Sequence, residues 1–177
     1  MQFIKLNKTF NLGKFTETNL INAYAINGKG ISLYDVDNYN KDLILSVIPE
    51  RFRDDFFVRE MKINYNIPPH TDSHVSATIN FYVKALDCKT NFYKKVNSEV
   101  GVKMTTQTTG RTFKEDDLEL TGSFIAESGD AWLLNVSNPH SVKNIGAEPV
   151  DRIALVLQSY KYNFDQILDM LRETNHI

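Results

Sequence analysis

Apolar and polar residues alternate most clearly from Phe57 to Tyr65, where Phe57, Arg59, Met61, Ile63 and Tyr65 fall on one face of an extended segment. Pro68-Pro69 then interrupts the ladder, since neither residue donates a backbone hydrogen bond. Further strands are expected over Ser76 to Ala85, Thr90 to Lys95, Val100 to Thr106 and Phe124 to Ala126, with Lys114 to Leu120 as a helical turn or loop. Ala131 to Val136 and Arg152 to Ser159 are the strands richest in Leu, Val and Ile. The first third is mixed: Phe3 to Leu6 and Ile31 to Tyr34 read as short strands, and Asp42 to Val47 as a short helix stopped by Pro49. At the other end Phe164, Ile167, Leu168 and Leu171 follow the i, i+3, i+4, i+7 spacing of an amphipathic helix, with Asn163 or Asp165 near its cap. Many short strands with a few flanking helices predict a mainly β barrel or jelly roll.

Length and composition narrow this picture. A chain of 177 residues without repeats, low-complexity segments or Pro/Gly-rich linkers predicts a single domain over 1–177. A net charge of −2 and a pI near 6.1 argue against a protein that grips phosphate backbones, so nucleic acid is not the expected partner. The lone Cys88 has no intrachain disulfide partner, Met1 to Phe10 lacks a signal-peptide core, and no apolar run is long enough to span a bilayer. The expected location is the cytoplasm, away from membranes.

Two of the four histidines stand in informative settings. In Ile67-Pro-Pro-His-Thr-Asp72, His70 and Asp72 are two residues apart and share one side of an extended segment. An imidazole and a carboxylate so placed offer two adjacent ligands to a divalent metal. In Asn138-Pro-His-Ser-Val142, His140 follows a predicted strand and offers a third. Two histidines and a carboxylate with open positions suit non-haem iron(II). Each piece alone also fits a surface turn. The fourth element is Arg152, which opens an apolar strand twelve residues after His140. Burying a guanidinium costs several kcal/mol (order of magnitude) unless a partner satisfies it, and its planar fork suits a carboxylate. The bland alternative is a strand-end pair with Asp151, Glu148 or Asp130. His74, spaced for a helix but placed in extended chain, His176 in a frayed last turn, Trp132 in the core and the acidic run Glu115-Asp116-Asp117 read as structure or solvated surface. Asn135 and Asn138 flank the metal segment and suit a supporting role.

The order His70-x-Asp72, His140, Arg152 resembles the 2-oxoglutarate/Fe(II)-dependent dioxygenases. The run Gly129 to Asn144 followed by Arg152-Ile-Ala-Leu looks like their aspartyl/asparaginyl β-hydroxylase-like or prolyl-hydroxylase-like branch, and Tyr65 matches a Tyr common there. The resemblance covers roughly Phe56 to Ser159. It implies a double-stranded β-helix (jelly roll, cupin-like) with flanking helices including a C-terminal one, iron(II) on His70, Asp72 and His140, and 2-oxoglutarate held at its far carboxylate by Arg152. Dioxygen would then be used to hydroxylate a C–H bond, with an amino acid or peptide side chain the favoured substrate. The chain departs from the family pattern in three places. Asp72 is present where this branch often lacks a carboxylate. The strand Ser76 to Val83 carries no second Arg, leaving that role to Asn80 or Tyr82. Ala154 stands where many members have Ser, leaving a hydroxyl to come from Tyr65 or Tyr82. Two other readings stay open: a cupin-like metalloprotein that does not use 2-oxoglutarate, and a non-catalytic jelly-roll binding module.

Overall fold

The computed structural model describes residues 1–13, 19–26, 29–64, 66–85, 87–96, 100–104, 109–146 and 151–177. Along them run β1 (Phe3–Lys5), β2 (Leu20–Ile26), β3 (Lys29–Tyr34), α1 (Asn38–Leu45), β4 (Phe57–Ile63), β5 (Ile67–Thr71), β6 (Thr78–Lys84) and β7 (Cys88–Lys95). They continue with β8 (Val102–Lys103), β9 (Arg111–Thr112), β10 (Leu118–Ile125), β11 (Ala131–Leu134), β12 (His140–Asn144), β13 (Arg152–Gln158) and α2 (Phe164–Glu173).

Four antiparallel pairs nest inside one another: β4 with β13, β5 with β12, β6 with β11 and β7 with β10. β4 to β13 thus form one long antiparallel ribbon. Its legs alternate between two sheets, ordered β1-β11-β6-β13-β4-β3-β2 and β10-β7-β12-β5-β9-β8. Pairing of β13 with β6 and of β12 with β7 joins successive turns of the ribbon. This winding is the double-stranded β-helix, a mainly β jelly roll with flanking helices.

The larger sheet is covered on both faces. On its outer face Phe81, Leu133, Leu155 and Leu157 pack with Ile44, Val47 and Ile48, and with Phe164, Ile167, Leu168 and Leu171 of α2. On its inner face Tyr82, Leu134, Ala154 and Val156 meet Phe92 and Phe124 of the smaller sheet. A strand covered on both sides needs apolar residues throughout, which is why β13 reads as a continuous run. Each fully buried Ile or Leu of α2 contributes about 1.5–3 kcal/mol. The helix starts where Asn163 and Gln166 form a reciprocal capping box.

Several expectations needed correcting. Pro68 and Pro69 lie inside β5 and do not end it. A bulge between the His140 and Val142 pairings lets β5 pass its prolines, and Pro69 serves as an acceptor, its carbonyl taking the Phe113 amide at 3.0 Å. β10 begins at Leu118, where a loop or turn was expected; only Glu115–Asp117 forms a 3-10 turn. Its exposed residues mix Glu119 and Thr121 with Leu120 and Ile125, so the edge strand has no clean alternation to announce it. α1 starts four residues before Asp42, because Asp37 caps it by accepting from the Asn40 amide at 2.9 Å. β2 and β12 were not foreseen as strands. Part of Val100 to Thr106 lies outside the described residues, and β8 covers only Val102–Lys103. Among the described residues no helix is long and apolar enough to cross a membrane.

Candidate metal centre

β5 and β12 are neighbours, and His70 and His140 sit directly opposite each other across them. Their rings are 4.3 Å apart, centroid to centroid. Asp72 is two residues beyond His70 and returns to the same side, its amide held by the Val136 carbonyl at 3.1 Å. The Asp72 Oδ1 atom lies 3.4 Å from His70 Nε2 and 3.5 Å from His140 Nε2. All three ligand atoms fall within 4.8 Å of one another. Cis ligands on an octahedral ion, each about 2.1 Å from it, are about 3 Å apart, so a small closure completes the set.

The protonation states favour a metal. His70 Nδ1 donates to the Pro68 carbonyl at 2.9 Å, and His140 Nδ1 to the Asn138 carbonyl at 3.1 Å. Each bond places the ring proton on Nδ1 and leaves the Nε2 lone pair facing Asp72. Burial, reinforced by repulsion from His70, pushes the His140 imidazole down to about 4, so it is neutral at physiological pH. Burial by itself would raise the Asp72 carboxyl. The two histidine rings against Asp72 outweigh it and hold the group below its ordinary value. Two imidazole Nε2 atoms and a carboxylate turned toward one point are a donor set that fits a divalent cation. The stacked Phe92 ring, 5.6 Å from that of His140, holds the second histidine in place.

Arg152 faces the same cavity from the larger sheet, where it pairs with Ile63. It is 3% exposed. Nη2 donates to the Tyr82 hydroxyl, and the guanidinium carbon lies 4.7 Å from the centre of the Tyr82 ring. Among the described residues Nε and Nη1 have no partner. The structural alternative fails for two of its three carboxylates: Asp151 pairs with Lys62 at 3.2 Å and Asp130 with Lys5 at 2.7 Å. Glu148 lies outside the described residues, as does Tyr65. The cavity, about 600 Å³, is lined by the triad, Arg152, Asn80 and apolar residues including Met61, Leu134, Val136 and Val156.

Of the residues read from the sequence, His70, Asp72, His140, Arg152 and Asn80 therefore meet in one cavity, and Tyr82 stands behind the arginine. Asn80 accepts a hydrogen bond from Thr78 at 3.1 Å. Asn138 supports His140 through its backbone carbonyl, whereas the Asn135 side chain accepts from the Ser137 hydroxyl at 2.6 Å. His74 is exposed and outside the metal cluster. His176, expected in solvent, is half-buried and stacks on Phe10 at 6.2 Å. Its carbonyl accepts the Asn7 amide, so the last turn docks on the first strand region. Two cavity groups went unnoticed in the sequence. Thr90 has a buried hydroxyl without a partner among the described residues; its place in alternation with buried Cys88 and Phe92 was the available signal. Arg59 stood on the correct face of its strand but was given no role.

No family model matches the chain, and no curated protein does. Among solved structures it is similar to vicilin from Corylus avellana (hazelnut), at 12% identity and a TM-score of 0.41, over 75% of this chain and 28% of that one. It is also similar to oxalate decarboxylase of Bacillus subtilis, at 12% identity and a TM-score of 0.40, over 81% of this chain and 28% of that one. L-ribose isomerase of Geodermatophilus obscurus is similar at 15% identity and a TM-score of 0.39, over 75% of this chain and 62% of that one. The aligned part thus spans less than two thirds of each of these proteins, all of which have the cupin fold.

Proposed function

We propose that the protein is an iron(II)- and 2-oxoglutarate-dependent oxygenase acting on the C–H bond of an amino acid or peptide side chain, in the cytoplasm. The observation that carries this reading is Arg152: a buried guanidinium with two unpartnered nitrogens, lining the cavity that holds the His70–Asp72–His140 triad. An unpaired cation in that setting costs several kcal/mol (order of magnitude) until an anion reaches it. A ligand with a carboxylate at one end and metal-chelating oxygens at the other satisfies both features. When bound, iron(II), 2-oxoglutarate and dioxygen supply the coupled decarboxylation to succinate and CO₂ and the hydroxylating power. His70, Asp72 and His140 would hold the iron, with the Pro68 and Asn138 carbonyls fixing the imidazole orientations. Arg152 would bind the far carboxylate, Tyr82 would orient the guanidinium, and Thr90 would donate its free hydroxyl in place of the serine that Ala154 lacks. Leu134, Val136 and Val156 would keep bulk water from the reacting centre.

The test is an anaerobic titration of the metal-free protein with Fe(II) and 2-oxoglutarate, followed by the visible metal-to-ligand charge-transfer band. The band should form with wild type, disappear in His140→Ala and weaken in Arg152→Ala. Metal binding without a band would leave a cupin-like metalloprotein that does not use 2-oxoglutarate. Absence of metal binding would leave a jelly-roll binding module.

A further inference from the structure

Strand register separates the cavity into two ends. β13 runs antiparallel to β4, so Arg152 lies opposite Ile63 and Val156 opposite Arg59. The four-residue step from Ile63 to Arg59 is about 13 Å along the strand. Ile63 and Ile67, both buried, line the Arg152 end, whereas Phe57, Arg59 and Tyr160 line the other. Tyr160 is 73% exposed, which makes that end the mouth.

Arg59 is half-buried there. Among the described residues it makes one hydrogen bond, from Nη1 to the Val58 carbonyl at 3.0 Å, and no ion pair. Its guanidinium carbon lies 5.4 Å from the Phe57 ring centre, and that ring packs 4.8 Å from Tyr160. Asp72 is the one carboxylate among the described residues lining the cavity, and it faces the two histidines. Two arginines and a divalent ion against a single carboxylate leave an excess of positive charge, which a dianionic oxo acid only partly neutralises. We propose that the mouth binds a substrate with one carboxylate and an apolar body, the carboxylate on Arg59 and the body against Phe57, Val75 and Tyr160. The charge count rests on the cosubstrate reading above; the Arg59 subsite itself does not.

Hexanoate and its neutral amide, hexanamide, serve as probes. They are titrated calorimetrically into Co(II)-loaded protein, with and without saturating 2-oxoglutarate. Wild type should bind the acid about tenfold more tightly than the amide. Arg59→Gln should remove that preference while leaving amide affinity and 2-oxoglutarate affinity unchanged, and Arg59→Lys should restore part of it. Equal affinity for acid and amide in wild type overturns the proposal, as does a preference that survives Arg59→Gln. A preference lost in Arg152→Gln but kept in Arg59→Gln also overturns it, by placing the acid at the inner end. If 2-oxoglutarate does not bind yet the preference still depends on Arg59, the cosubstrate reading falls and the mouth subsite stands.

Discussion

Asp130 and Arg152 are both ionisable and both buried, at 5% and 3% exposure, but they are served differently. Asp130 accepts from the Glu127 amide at 3.0 Å and from Trp132 Nε1 at 3.5 Å, and pairs with Lys5 at 2.7 Å. Arg152 has the Tyr82 hydroxyl and ring, and two nitrogens without a partner among the described residues. The carboxylate finds its partners within the chain and ties β1 to the turn before β11. The guanidinium is left incomplete in a cavity large enough for a small acid. A buried charge with its partners supplied serves the fold. One without them lowers stability, and in the proposed function a ligand completes it.

The largest effect should come from removing the incomplete charge. Arg152→Met, combined with Tyr82→Phe so that no hydroxyl is stranded, should leave the ligand-free protein as stable as wild type, or more stable by on the order of 1–4 kcal/mol. Urea unfolding reads this directly. With metal present, 2-oxoglutarate at about 100 times its Kd should stabilise wild type by about 2.7 kcal/mol and the double variant not at all. A double variant that loses stability as a truncated core residue does would make Arg152 structural.

Asp130→Asn should act in the opposite sense, lowering stability at neutral pH by about 1–3 kcal/mol. The lower end is expected, because Lys5 is 47% exposed and its charge is screened by water. The pH dependence has a definite sign. Burial alone would raise the Asp130 carboxyl, but the bonds from Lys5 and the Glu127 amide, with the Lys5 charge and Trp132, hold it below its ordinary 3.8. A depressed carboxyl contributes fully above that value and loses its contribution as pH falls through the lower folded one. The gap between wild type and variant should therefore be constant near neutrality and shrink below about pH 4. A gap that widens in acid would show that Asp130 does not carry this depression.

Much of the fold and part of the cavity were legible in the sequence, for identifiable reasons. The two-residue period of extended chain placed His70 beside Asp72 without knowledge of any other strand. The apolar run after Arg152 announced a buried strand, and so an arginine in need of a partner. What the sequence did not carry was register. That His140 opens β12 opposite His70 depends on pairing across the ribbon, and His-Ser-Val-Lys-Asn has too little apolar content to announce a strand. Pro68-Pro69 pointed the wrong way because a bulge, invisible locally, absorbs the missing donors. Thr90 looks like any strand threonine until the facing sheet leaves its hydroxyl unpartnered. Arg59 was on the expected face, but which face looked into the cavity was settled only by the closed ribbon.

The smallest effect should come from the far side of the larger sheet, at the cap of α2. Asn163 accepts from the Gln166 amide at 3.0 Å, and the Gln166 side chain takes the Asn163 amide at 2.9 Å. Asn163→Ala should cost about 1 kcal/mol, a fall in Tm of about 2–4 °C for a chain of this size. α2 packs on the outer face of the sheet whose inner face carries Arg152. The variant should therefore leave metal and 2-oxoglutarate affinity unchanged when these are measured well below its Tm. A shift in either affinity would mean that the outer layer sets the geometry of β13, and the two faces of that strand could no longer be treated as one for stability and one for binding.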